Sequence, residues 1–498
     1  MAKPLQPITI QAPAFFGLNT QDSPTSLTEQ FALTASNCVI DRFGRIGSRK
    51  GYQYISATTS PVQSISEYIK KNGTTEVITT TSTHIYSGEE VLTDITPAGY
   101  SFSNPNFVAE TLSDVHYLFS EGEDPLYYDG TVCDLIANNP AYTGTAPKAG
   151  ICVSGFGRLW ATRTDTNLQT IYWTDLLNGS SWDAGSSGSI DLSKTWSYGS
   201  DEVTGLAIHN DLLFIFGRRQ VMIYQGATDP ATMSLVDNIN GIGCVDHNTI
   251  QNTGADLIFL SDTGIRSINR TIQEKSAPIG DISKNVRNEL TSYIGDSFKF
   301  RSVYSPEEAF YLLSIVGGAT VYCFDMRTPL QDGSHRATTW NSITPLCMLY
   351  RYSNKQLLMG KQDGLARYEG YMDDTDNYQM SYFSNYIDFG APSNLKMLKN
   401  LKITFIGGSN TDVTLNYGYD YSFAYKKRAF ILPEQTVAEF GVAEFNESEF
   451  NIGILVNRPS INASSSGQVV QLGVDVTING SPVSVQRMTA QAVLGRVI

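Results

Sequence analysis

An all-β fold built around a ring of repeated sheets is what this sequence predicts, on three observations. The composition is 41% hydrophobic, 17% charged and 11% aromatic. Low charge with abundant Thr, Ser, Asn and Gly favours strands and tight turns over helices. Short apolar strands that run into a Gly or polar turn, most of them through an aromatic, recur as THIYSG (83–88), PLYYDG (125–130), TIYWTD (170–175), VMIYQG (221–226), GIRSIN (264–269), TVYCFD (320–325) and LARYEG (365–370). Each is preceded by a second apolar strand, in order EVITTT, VHYLFS, GRLWAT, LLFIFG, LIFLSD, FYLLSI and QLLMGK.

The aligned positions Tyr86, Tyr128, Tyr172, Tyr224, Ser267, Tyr322 and Tyr368 lie 42, 44, 52, 43, 55 and 46 residues apart. Paired strands at a period of about 40–50 mark the blades of a β-propeller. A small twisted sheet cannot bury both faces alone, so neighbours stack radially and leave only short, protected edges. Seven such units make a seven-bladed propeller over 53–372. Six blades with one decorated unit stays open, because the two longest gaps hold insertions. A meander of hairpins forming a sandwich is the competing arrangement, and regular spacing weighs against it. Residues 275–300 contain a helix-like pattern, with Asp281 or Ser283 placed to cap it before Val286, Leu290 and Tyr293.

Before the ring, Val39 and Ile40 run into Arg42-Phe43-Gly44 and Arg45-Ile46-Gly47 leads away, which predicts a hairpin with a Gly-assisted turn. After it come YFSNYIDFG (382–390), the basic LKMLKNLKITFIGG (395–408), the alternating VTLNYGYDYSFAY (413–425) and two further strand-rich stretches. Residues 1–52 and 373–498 are therefore expected to form one β-sandwich-like platform with the propeller inserted between them. A closed ring brings the ends of such an insert together. The stretch VAEFGVAEFNESEF (437–450) repeats with period five, which fits neither helix nor strand. Glu439, Glu444, Glu447 and Glu449 make it an anionic loop.

A net charge of −14 and a pI near 4.9 argue against a chain that condenses on nucleic acid, since that affinity comes from Lys and Arg on phosphates. The same charge suits a surface past which DNA slides. Six scattered cysteines without a CxxC predict buried apolar thiols in a reducing cytoplasm. No apolar run approaches the ~20 residues of a membrane span, and the N-terminus lacks the apolar core of a secretion signal.

No GxSxG, HExxH or Walker-type GxxxxGK[ST] occurs. The Asp129-Gly130 and Asp363-Gly364 pairs fall where turns are expected, and the five histidines are dispersed, so no catalytic residue, metal or cofactor is predicted. A structural or binding role comes first. A glycan-binding or glycan-cleaving propeller is the alternative; its support is the cluster Trp160, Trp173, Trp182 and Trp196, which would have to stand on an exposed rim beside a carboxylate pair.

Within 41–52, DRFGRIGSRKGY, four cations (Arg42, Arg45, Arg49 and Lys50) concentrate in a chain that is acidic overall. This stretch, with FFGLNTQDSPTSL (15–27), resembles the start of the tail nozzle proteins of short-tailed bacteriophages, also described as tail tubular protein B or the phage stabilisation protein of the tail hub. Gly17, Leu18, Asn19, Thr20, Ser23, Pro24, Asn37, Asp41, Gly44, Arg45, Ile46, Arg49, Gly51 and Tyr52 carry the match. It is specific over about forty residues and loose elsewhere, although YIDFGAPSNLKMLKNLKI (386–403) looks like a second family feature.

The resemblance implies a virion protein of the viral tail, made in the host cytoplasm. It implies a homohexameric tube below the adaptor ring, through which genomic DNA leaves without sequence-specific binding. Other copies of the chain, the head-to-tail adaptor, and tail fibres or a tail needle are the implied partners. Under it, Arg42, Arg45, Arg49, Lys50, Lys396, Lys399 and Lys402 are expected to face a neighbouring subunit or the adaptor through charge-assisted hydrogen bonds. A mostly anionic bore would repel the duplex within a Debye length of ~8–10 Å.

Overall fold

All seven strand pairs named above are antiparallel neighbours in the computed structural model, which describes residues 4–274, 281–295, 298–434 and 456–497. They build a β-propeller. Six of its blades have four strands, spanning 62–94, 108–135, 149–191, 203–240, 299–340 and 347–367; the last takes Gln53–Ala57 as its outer strand, and the fifth is part of a larger sheet. A three-stranded sheet over 251–267 stands between the fourth and fifth of them.

In that smaller sheet the chain leaves strand Gly264–Ser267 directly into the helix Ile268–Glu274. Ile268 buries itself against Leu257 and Phe259, so the helix takes the place of an outer strand. The predicted helix exists in shortened form, as a 3₁₀ turn at Lys284–Val286 and an α-helix at Arg287–Ser292. Val286 and Leu290 are buried as expected. Neither proposed cap acts as one: Ser283 Oγ accepts the N–H of Ile265 and donates to Asp281, while Asp281 is paired with Arg266 and Arg287.

The ring is closed by sequence-distant residues. Gln53–Ala57 pairs with Gly364–Arg367, so the final sheet contains both ends of the insert. An ion-pair network ties that sheet to the first: Arg351 reaches Glu67 at 3.2 Å and Glu89 at 2.6 Å, and Arg367 reaches Glu89 at 2.8 Å.

Both chain ends contribute to two further sheets. One has seven strands: Leu5–Gln11, Cys38–Ile40, Ile46–Ser48, Asn394–Gly407, Val456–Asn457, Ser460–Asn462 and Val483–Val497. The other is not separate from the ring. Strand Arg336–Trp340, the outer strand of the fifth four-stranded sheet, continues through Gly17–Leu18, Phe31–Ser36, Tyr378–Ser384, Val470–Ile478, Thr411–Tyr419 and Lys426–Leu432 into one ten-stranded sheet. Ile10, Leu398, Ile403, Met488, Leu415 and Val474 from the two sheets share one buried apolar cluster. At about 1.5–3 kcal/mol per fully buried large side chain, that cluster is what holds the ends of the chain together. The acidic stretch with Glu439, Glu444, Glu447 and Glu449 lies outside the described residues.

Candidate functional site: a joint and a carboxylate-free sheet face

Several residues of the GLNT and DRFGRIGSRKGY stretches converge on the joint between the chain ends and the ring. Arg49 is fully buried, and its guanidinium grips Asp373 with both carboxylate oxygens at 2.7 and 2.8 Å. It also donates to Asn37 Oδ1, the Lys50 carbonyl and Ser342 Oγ, and lies 3.9 Å over the Tyr378 ring. Tyr378 in turn donates its hydroxyl to the Arg49 carbonyl. Asn37 sits at φ +52°, where Asn is among the few non-Gly residues tolerated. Its side chain bonds Asn341 and the Gln379 carbonyl.

Two glycines permit this closeness. A Cβ at Gly51 would lie 1.7 Å from the Met372 carbonyl oxygen, and one at Gly17, where φ is +79°, would lie 2.5 Å from that of Ala337. Next to Gly51, Tyr52 N–H bonds the Met372 carbonyl and its ring carries Lys361 Nζ at 3.6 Å. Burial pulls the Lys361 amine down to about 8. The GLNT segment docks on the helical insert. Asn19 Oδ1 accepts the N–H groups of Gln21 and Asp22, and Thr20 Oγ1 donates to Glu289. Ser23 and Pro24 follow in an exposed turn.

These placements correct the interface expectation for Arg49 and Lys396, which are buried. Arg49 is an internal knot. Lys396 is buried, its Nζ on the Ala391 carbonyl at 2.5 Å, and burial lowers its pKa. Arg45 is held by Asp41 at 2.6 Å and lies over Phe43, whose ring Arg42 also approaches. Lys50 pairs with Glu308 of the ring at 2.7 Å. Most of the charge in DRFGRIGSRKGY is thus used within the chain, to set a hairpin and fix it to the ring.

Lys399 and Lys402 differ. The strand Asn394–Gly407 has a register shift between Leu398 and Asn400. Lys399 occupies that bulge, which reverses the alternation beyond it. Leu401, Ile403 and Phe405 then point to the core, while Lys399 and Lys402 are exposed. On the outer face the register aligns Thr9, Thr489, Lys402 and Ser460 in one row, with Gln11, Arg487 and Thr404 in the next. A third row holds Pro7, Gln491, Asn400 and Asn462. No Asp or Glu occurs on any of these four strands.

This face stands out against the rest of the chain. Residues 53–372 carry 34 acidic and 21 basic side chains, whereas 1–52 and 373–498 together carry 15 acidic and 14 basic. The acidity belongs to the propeller. That partition was countable in the sequence; the bulge that exposes the lysines was not.

The centre of the ring holds a polar cavity of about 940 Å³, lined by Glu67, Glu110, Glu121, Glu202, Asp246, Arg163 and Arg301 among others. Arg301 donates to Asn106 Oδ1 at 2.8 Å and so joins the fifth four-stranded sheet to the approach of the second. Burial pushes Glu110 up to about 8, opposed by the Ser154 N–H. His116 bonds Ser66 and Thr111 at 2.9 Å each, and burial lowers it to about 3. It is a satisfied core histidine. Among the described residues no cluster of His, Cys, Asp and Glu could hold a metal ion, and no helix is long and apolar enough to cross a membrane. The six cysteines are all buried and unbridged.

The tryptophans do not form a rim. Trp160, Trp173, Trp182 and Trp196 are between 0% and 8% exposed and pack inside the sheets. A half-open cleft of about 570 Å³ does lie between the second and third sheets, with Tyr142 and Tyr172 in its wall.

No family model and no curated protein matches the sequence. Solved structures similar to it include YCF48 bound to D1 peptide, at 13% identity and TM-score 0.38, covering 63% of this chain and 92% of that one. The WD40 β-propeller domain of Doa1 follows at 13% identity and TM-score 0.36, covering 64% and 96%. PorZ of Porphyromonas gingivalis has 12% identity and TM-score 0.36, covering 66% and 42%. At these identities and scores the likeness carries no argument about function.

Proposed function

We propose that this chain is a subunit of the tail tube, or nozzle, of a short-tailed bacteriophage. In that role it assembles as a homohexamer below the adaptor ring and passes genomic DNA without binding a particular sequence. The observation that carries this reading is the joint. Arg49, Asn37, Gly51, Gly17 and Asn19 each occupy a position that neighbouring backbone or a buried partner defines. A resemblance in those residues is therefore a resemblance in how two chain ends are fastened to a ring.

Within this reading the three-stranded unit counts as a reduced seventh blade, and the two terminal sheets are a β-sandwich platform. Of the predicted interface cations, Lys399 and Lys402 are the exposed ones on the seven-stranded sheet. The test is co-sedimentation: heads bearing the adaptor should carry the protein through a density gradient, and heads lacking the adaptor should not. Equal association with both would remove the proposal.

A second reading, glycan binding at a host surface, is favoured only by the Tyr142–Tyr172 cleft, whose size and aromatic wall suit a sugar ring. Saturation-transfer NMR with neutral disaccharides tests it; no transfer in the millimolar range would end it.

A further inference from the structure

We infer that the carboxylate-free outer face of the seven-stranded sheet is the surface of this chain that meets the phosphates of a DNA duplex. This deepens the tube reading and rests on it for the source of the duplex. The face is four strands wide and presents Thr, Gln, Asn and Ser around Lys402 and Arg487, with Lys399 exposed at the bulge beside them. Lys402 stands opposite Thr489, so Arg487 is its diagonal neighbour, a separation of about 7–8 Å. Two cations at that distance can sit on successive phosphates of one strand.

Three features choose DNA over the other occupants of a polar sheet face. A protein partner wants an apolar centre with aromatic anchors, and the central rows offer none. The charge is of one sign, although the chain as a whole is acidic. The middle of a sheet face offers no helix or two-stranded ribbon to enter a groove, so contact stops at the backbone and carries no sequence information. Neutralising about three phosphates gives weak, salt-sensitive binding, as a conduit requires. The anionic propeller then keeps DNA off the remaining surface.

The experiment uses the full-length chain and a 30-bp fluorescent duplex. Because all six native cysteines are buried, a Thr489→Cys variant can carry a single photo-crosslinker on the face. Thr228→Cys places the same group on an exposed turn of the propeller. Crosslinking from position 489 should exceed that from 228 at least tenfold. Three phosphate contacts predict a roughly 40-fold loss of affinity between 50 and 200 mM salt. K399E/K402E/R487E should abolish both the crosslink and the salt dependence while melting like the parent. Equal crosslinking from the two positions, no binding at 50 mM salt, or an unchanged salt slope in the triple variant would overturn the inference. The tube reading is judged separately: a chain that crosslinks to DNA yet never joins adaptor-bearing heads fails that reading alone, and one that joins heads without crosslinking fails only the inference.

Discussion

Removing the Arg49 guanidinium is the perturbation whose outcome the structure fixes most closely. Arg49→Ala leaves Asp373, itself only 8% exposed at its side chain, without its bidentate partner. It also removes one of the donors to Asn37 Oδ1 and vacates the face of Tyr378. Breaking a buried ion pair by deleting one member costs about 3–5 kcal/mol. Residues 1–52 and 373–498 together have the size for which 1 kcal/mol moves a melting midpoint by about 2–4 °C. A loss of about 4 kcal/mol therefore lowers the melting midpoint by on the order of 10 °C. Differential scanning calorimetry reads this directly. Arg49→Lys keeps the charge but not the fork, so it should recover only part of the loss. In the double variant with Asp373→Ala the two effects should be markedly less than additive. An Arg49→Ala protein that melts like the parent, yet fails to assemble, would refute the knot and restore Arg49 to an external interface.

Gly51→Ala should prevent stable docking of the chain ends, because its Cβ would meet the Met372 carbonyl oxygen; limited proteolysis should then cut near residues 51 and 372. Glu110→Gln tests the buried carboxyl. Its folded-state pKa is raised from 4.5 to about 8, so the folded chain holds the proton longer, and wild-type stability falls as pH climbs through that window. The glutamine variant should lack that fall, as seen in thermal melts between pH 4.5 and 8.5. Lys361 has the opposite sign. Its depressed pKa predicts a stability gain as pH rises from about 8 towards 10.5, and Lys361→Met should remove it.

The repeat was legible because all but one of the units sign themselves locally: strand, aromatic, glycine or polar turn, within about fifteen residues. THIYSG and TVYCFD need no distant partner to be recognised. The closing strand and the joint depend on partners far along the chain, such as Asp373 for Arg49 and Ala337 for Gly17. Nothing near Arg49 in sequence announces that it is buried. A lone cation in a basic hairpin looks solvated until its carboxylate is found. The lysines at 396, 399 and 402 mislead differently. All three were expected at one interface, but Lys396 points inward ahead of the bulge at Lys399, and the reversed alternation after that bulge leaves Lys402 outward. The continuity of one blade with six further strands was also out of reach, since it passes through short parallel pairings at Gly17–Leu18.

The most direct test of the central claim is cryo-electron microscopy of this protein added to adaptor-bearing heads that lack their own tail tube. Six copies should surround the exit axis, with the rows of Lys402 and Arg487 turned towards the lumen. Density without sixfold order, or a ring in which the propellers rather than the paired terminal sheets enclose the duplex, would contradict the account.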